Sequence, residues 1–127
     1  MHLYAAMYGS MHTHKKANVN NSQQNKELIV AGMMRGTSAD GIDVAIISTD
    51  GNNISKIYKP LFKKYPSTLR KGILDLSNQL NNIPIMLEIA NQITMLHVQA
   101  FEESLKLNKM DKSKVDLIGF HGQTIYH

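Results

Sequence analysis

No cysteine occurs in this chain, which excludes a disulfide framework, a thiolate zinc site and a cysteine nucleophile, and is compatible with a reducing cytoplasm. Nor does any window approach the ~20 apolar residues that a membrane-crossing helix needs. Near the start, Leu3 to Tyr8 is mildly apolar, but no Lys or Arg precedes it as the first region of a secretory signal requires, so the expected location is cytoplasmic. Acidic residues are missing from the first 26 positions. Of the 14 Lys and Arg, Lys15, Lys16 and Lys26 precede the first acid, Glu27, and the other 11 nearly balance the 10 Asp and Glu. Most of the basic surplus of +4 therefore belongs to the leader, and the remainder carries about +1. Aromatic residues make up only 6%, and no basic stripe interleaved with them remains, so nucleic acid is not an expected partner.

What is present is one domain's worth of chain, with 43% hydrophobic residues to build a core. Residues 1–27 read as a disordered polar leader, because residues 9–27 offer almost nothing to bury. Folding is expected over 28–127. Leu28 to Ala31 and Ile42 to Ile47 are short apolar runs that read as two strands of a hairpin, and a third strand is expected at Ile54 to Tyr58 after the turn signal Asp50-Gly51-Asn52-Asn53. Beyond Tyr65-Pro66 the period becomes helical. Leu69, Ile73, Leu76 and Leu80 mark a first helix, with Ser67 or Thr68 as its cap. A longer helix is expected from Pro84, with Ile85, Ile89, Ile93, Leu96, Ala100 and Leu105 on its apolar face. The run Val115 to Phe120, which follows the helices, reads as a buried strand parallel to an earlier one. The order of elements specifies an α/β fold with a mixed sheet, antiparallel hairpin strands, two helices and a following parallel strand. Four strands are expected, with one edge uncovered.

The first two strands are joined by a glycine-rich loop. Gly36 and Gly41 remove Cβ atoms where backbone N–H groups must approach a ligand, and Thr37 and Ser38 add hydroxyls, so the loop suits phosphate. It is not a Walker loop, since no Gly-Lys-Ser/Thr follows. It is not a dinucleotide fingerprint, since the next element is a strand. Asp40 and Asp43 would repel a bare polyphosphate, and they make sense beside one when magnesium lies between, held partly through water. The competing reading is a long hairpin loop whose polar side chains bond their own backbone.

The run Gly36-Thr37-Ser38-Ala39-Asp40-Gly41-Ile42-Asp43, placed after a first apolar strand, resembles the signature of the anhydro-N-acetylmuramic acid kinases of the actin-like sugar-kinase superfamily. That likeness implies an incomplete actin-like (ribonuclease H-like) ATPase lobe. It further implies that these eight residues hold ATP phosphates, with Asp40 as the ligand to Mg2+, through water. One position departs from the family, which usually has Ser where this chain has Arg35; the arginine either reaches a phosphate as an extra clamp or crowds the loop.

A second motif, His121-Gly122-Gln123-Thr124, follows the last strand, where α/β sheets place ligands. Alone it is weak, since a single His after a strand is commonly a structural hydrogen-bonder. Paired with the loop it resembles the family's sugar-side segment. The phosphate reading needs both aspartates to face a pocket shared with His121. His97, mid-helix beside the apolar face, reads as packing or surface. His12 and His14 read as at most a loose metal site, and Lys63-Lys64 and Arg70-Lys71 as solvated faces.

By resemblance, the substrates are ATP and 1,6-anhydro-N-acetylmuramic acid, the latter phosphorylated with opening of its anhydro ring to N-acetylmuramic acid 6-phosphate in cell-wall recycling. The family's general-base aspartate is expected beyond His127. Two outcomes stay open: a kinase part that works when joined by the missing C-terminal part, and a non-catalytic remnant with weak or no nucleotide binding. A third is another actin-like phosphotransferase.

Overall fold

The computed structural model describes residues 2–3, 26–35, 38–76 and 82–124, with 2–3 and 123–124 described by backbone alone. The expected disordered leader and Leu80 thus fall almost wholly outside the described residues. The strands are β1 (His2–Leu3), β2 (Leu28–Met34), β3 (Gly41–Thr49), β4 (Ile54–Ile57), β5 (Leu61–Lys64), β6 (Leu117–Phe120) and β7 (Gln123–Thr124), with helices α1 (Ser67–Leu76) and α2 (Ile83–Leu107) between β5 and β6. β1 pairs antiparallel with β7 as a separate two-stranded ladder. The other five strands form one mixed sheet.

β2 and β3 make the expected antiparallel pair, and β6 lies parallel to β2. The third row of the sheet differs from expectation. It is split: β4 pairs with the far end of β3 and β5 with its near end, so five strands occupy four rows. The split has a local cause. Lys59 turns its backbone to Asn108 at the end of α2, its N–H donating to Oδ1 at 2.9 Å and its carbonyl accepting from Nδ2 at 3.0 Å. Pro60 then has no N–H to offer the ladder. β5 itself places Lys63 against α2, where its ammonium meets Glu103 at 2.7 Å, so this lysine is a strand residue with a partner rather than part of a solvated run.

Alternation divides the sheet into two faces. Ala31, Met33, Ile42, Val44 and Ile46 all point to the helices, and each is at most 5% exposed. Against them α1 sets Leu69, Ile73 and Leu76, as its period predicts. α2 contributes Ile89, Ile93, His97, Ala100, Phe101, Ser104 and Leu105, so its buried stripe includes two polar residues at its centre. α2 begins at Ile83 with Asn82 as cap, whose Oδ1 accepts from Ile85 N, and Pro84 sits in the first turn. Ile85, expected on the apolar face, is 42% exposed. No helix among the described residues is long and apolar enough to cross a membrane.

The opposite face of the sheet is bare. Met34, Ile57, Phe62 and Leu117 lie on it, each more than half exposed. The expected burial of the last strand is therefore corrected. Leu117 is 57% and Ile118 45% exposed, because β6 forms an edge row and the helices reach only its end, at Phe120. Its position is fixed by Asp116, whose N–H donates to Ile29 O at 2.8 Å and whose Oδ2 accepts from Ile29 N at 2.9 Å.

His97 is fully buried and packs edge-on against Phe120, ring centroids 4.5 Å apart. Its Nδ1 lies 2.8 Å from Ile93 O, and since a carbonyl only accepts, Nδ1 carries the proton. Burial pushes the ring's pKa below the ordinary histidine value, partly offset by that hydrogen bond. The unfolded chain, with a pKa of about 6.5, then takes up a proton before the native state does. Native stability supported by neutral His97 is complete above that value and declines as the pH falls toward the folded one. Urea unfolding of the wild type and His97→Leu at about pH 7.5 and 5 checks this sign: the wild type loses more stability on acidification than the variant.

Gly41 is buried where β3 begins. A Cβ there would lie 2.5 Å from Lys63 O and 2.6 Å from the Phe62 ring, so the glycine lets β5 close over the loop's exit. Gly32, by contrast, has nothing within 4 Å of its missing Cβ. Gly41→Ala is expected to cost about 1–3 kcal/mol through backbone overpacking. Gly32→Ala should stay within about 0.5 kcal/mol. Denaturant titration of the two variants measures both.

Candidate functional site

The parallel pairing of β6 with β2 decides where the two sequence motifs meet. Phe120 lies opposite Met33, and the His121 N–H donates to Met33 O at 3.0 Å, so both chains leave the sheet side by side. β2 enters its glycine-rich loop there, and β6 enters the His121 segment. This is the carboxyl end of two neighbouring parallel strands, where open α/β sheets bind ligands.

Asp43 faces the bare side of the sheet in register with Met34 and Phe62. It shares a broad cleft of about 750 Å³ with His121, floored by Gly32, Ala45 and Gly119 and walled by Phe62. The two glycines on neighbouring strands keep that floor low. A Cβ on Gly119 would meet only Ala31 O, at 3.9 Å, so nothing in the fold forbids a side chain at either position. The cleft is the part of the bare face nearest both motifs.

Asp40 does not reach this cleft. It lines a neighbouring one of about 540 Å³ with Lys64, Tyr65, Ser67 and Arg70, and Phe62 stands between the two. The expectation that both aspartates face the pocket of His121 thus holds for Asp43 alone. The cause is the strand alternation: the loop ends at Gly41, so Asp43 is already a strand residue on the bare face, whereas Asp40 belongs to the turn. Asp40 Oδ1 accepts from the Ser38 hydroxyl at 2.8 Å, and this bond, ahead of backbone amides and Arg70, holds the exposed carboxyl below its usual range. It is a carboxylate at neutral pH with its second oxygen uncommitted to Ser38.

Of the loop's other residues, Ala39 is buried with a left-handed backbone, φ 50°. A non-glycine residue adopts that region at a cost, and turns of this kind present successive N–H groups to an anion. Asp40 O accepts from Tyr65 N at 2.9 Å, which ties the turn to the start of α1. Ile42 is wholly in the core. Gly36 and Thr37 lie outside the described residues, as do His12 and His14. In the second motif His121 is exposed and Gly122 buried, while Gln123 and Thr124 are described by backbone alone.

Arg35 follows Met34 and takes the helix-side face, 6% exposed. It is not poised in the open cleft as a clamp. The aromatic and basic residues Phe62, Lys64 and Tyr65 had no functional reading in the sequence, although the stretch between Pro60 and Pro66 alternates in the manner of a short strand. Arg70, taken for a solvated residue, lines the cleft of Asp40. Magnesium commonly uses one or two carboxylates, with waters and phosphates completing the shell, and the ionised, exposed Asp40 is chemically suited to that. The described residues contain no cluster of three His, Cys, Asp or Glu that would hold a metal by protein ligands alone.

Comparison with known proteins bears on this arrangement. The family profile described as anhydro-N-acetylmuramic acid kinase matches residues 28–127. Anhydro-N-acetylmuramic acid kinase of Rhodopseudomonas palustris (strain ATCC BAA-98 / CGA009) is 33% identical over 103 residues, covering 76% of this chain and 28% of the relative. That of Pelagibacter ubique (strain HTCC1062) is 36% identical over 106 residues, 76% of this chain and 27% of the relative. That of Bradyrhizobium diazoefficiens is 33% identical over 107 residues, 79% and 29% respectively. The chain thus spans little more than a quarter of the length of these relatives. With the profile matching well over half of its residues, the chain belongs to the anhydro-N-acetylmuramic acid kinase family.

Proposed function

We propose that this chain supplies the nucleotide-phosphate turn and one wall of the sugar cleft of an ATP-dependent kinase acting on 1,6-anhydro-N-acetylmuramic acid, with opening of the anhydro ring to give N-acetylmuramic acid 6-phosphate. The observation that carries this reading is the meeting of the two motifs at one end of the sheet, with Asp43 and His121 on one cleft. In it the loop's amides and hydroxyls, from Gly36 to Asp43, hold ATP phosphates, and Asp40 holds magnesium through water. When bound, the ion neutralises charge between the carboxylate and the phosphates. His121, Gly122, Gln123 and Thr124 line the sugar side.

Ring opening also needs a carboxylate to activate water at the anomeric carbon. Asp43 is the carboxylate of the His121 cleft, yet its place beside the phosphate turn suits it to charge balance rather than to that task. The base is assigned to a part of the enzyme outside this chain, in keeping with the share of the relatives' length that it spans. The bare apolar face around Met34, Ile57 and Leu117 supports the same view, because lone proteins rarely leave such a surface uncovered. The site's chemistry suits a cytoplasmic enzyme, with ATP and an amino sugar as its small-molecule partners.

Calorimetric titration of the chain with ATP, with and without magnesium, tests the reading. Binding is expected with magnesium. Asp40→Asn should weaken magnesium-dependent binding by about tenfold, or ~1.4 kcal/mol, and tighten binding of metal-free ATP by relieving repulsion. A folded chain that binds no nucleotide under either condition would instead identify a non-catalytic remnant.

A further inference from the structure

β5 sends its two lysines to opposite faces. Lys63 turns to α2, where Glu103 meets it at 2.7 Å, and Lys64, opposite Gly41 in the ladder, turns with Phe62 to the bare side. There Lys64 lines the cleft of Asp40, and the exposed Arg70, in the first turn of α1, lines the same cleft from the helix. Neither cation forms an ion pair among the described residues, unlike Lys63. Asp40 is a counter-charge to one of them, since Arg70 helps to hold its carboxyl ionised, which leaves the cleft a cation in surplus. Ser67 adds a hydroxyl to the lining.

The two neighbouring clefts therefore differ in charge. Among the described residues no Lys or Arg lines the cleft of Asp43 and His121. Phe62, 52% exposed, stands between the two, and its ring lies so close to Gly41 that a Cβ there would meet it at 2.6 Å. An oxyanion brought to this end of the sheet finds side-chain cations on one side of Phe62 only. Arg70 can offer two parallel N–H groups to a phosphate, and Lys64 a point charge.

We propose that Lys64 and Arg70, with the Ser67 hydroxyl, form a phosphoanion subsite in the Asp40 cleft and hold the phosphate chain of the nucleotide on that side of Phe62. The two side chains contact phosphate oxygens directly, while magnesium, when bound, neutralises charge between the same phosphates and Asp40. This deepens the nucleotide reading and rests on it for the identity of the ligand.

The test uses the full chain as wild type, Lys64→Gln, Arg70→Gln, Arg70→Lys and, as a control, Lys71→Gln, which adjoins Arg70 but does not line the cleft. Each is titrated calorimetrically at low salt with inorganic triphosphate in magnesium-free buffer and with ATP in magnesium buffer, and its melting temperature is measured without ligand. Arg70→Gln should weaken triphosphate binding roughly tenfold, Arg70→Lys and Lys64→Gln about threefold each, and Lys71→Gln less than about twofold. All four variants should melt within about 3 °C of the wild type, since these side chains are exposed. The subsite is ruled out if Lys64→Gln and Arg70→Gln bind triphosphate as the wild type does, if Lys71→Gln costs as much as Arg70→Gln, or if either cleft variant fails to fold. Should the wild type bind magnesium ATP but no metal-free triphosphate, the subsite fails while the nucleotide reading stands. Binding of triphosphate with the expected dependence but not of ATP would leave the subsite and remove the nucleotide reading; binding of neither would remove both.

Discussion

The parallel register between β2 and β6 is the constraint on which the rest depends. Two backbone bonds from Asp116 and His121 to Ile29 and Met33, with the Asp116 carboxylate adding a third contact, lock two segments that are far apart in the chain. A shift of the parallel register would move His121 away from the loop. The proximity of the loop and the histidine segment follows from the pairing of the strands that carry them. The helices serve it by covering one face, which leaves the other free to carry Asp43, the glycine floor and Phe62.

Polar residues inside this small core set its character. His97 and Ser104 interrupt the otherwise apolar α2 stripe, and both are fully buried. Arg35 brings a charge into the same region. Arg35 directly follows β2, where the chain leaves for the turn toward β3, so the polar part of the core reaches the start of that turn. Asn108, bonded to both backbone groups of Lys59, fixes the far end of α2 against the split third row and thereby holds β5 across the exit of that loop.

Much of this arrangement is legible in the residues, and the parts that are not have physical reasons. The α1 period at Leu69, Ile73 and Leu76 and the hairpin across the glycine loop follow from local patterning, which needs no knowledge of neighbours. β5 was missed because Leu61 to Lys64 is short, carries two lysines and is bracketed by prolines; it is a strand only because β3 is long enough to pair with two partners in succession. The burial of Leu117 and Ile118 was misjudged because an apolar run reports what could be buried, not whether anything lies over it. Gly41 was read as room for a ligand, while its missing Cβ makes room for Lys63 and Phe62. Asp40 and Asp43, three residues apart, looked like one pair. The transition from turn to strand at Gly41 sends them to separate clefts.

The central claim is that the Ser38–Asp43 turn binds nucleotide phosphates beside the start of the His121 segment, which lines the sugar side of the same region. Amide chemical-shift mapping of the isotope-labelled chain with magnesium and a non-hydrolysable ATP analogue tests it most directly. The account predicts saturable shifts concentrated at Ser38 to Asp43 and at His121 and Gly122, with the far ends of β3 and α2 unmoved. Saturable shifts confined to other surfaces, or no shift at the turn at millimolar analogue, would contradict it.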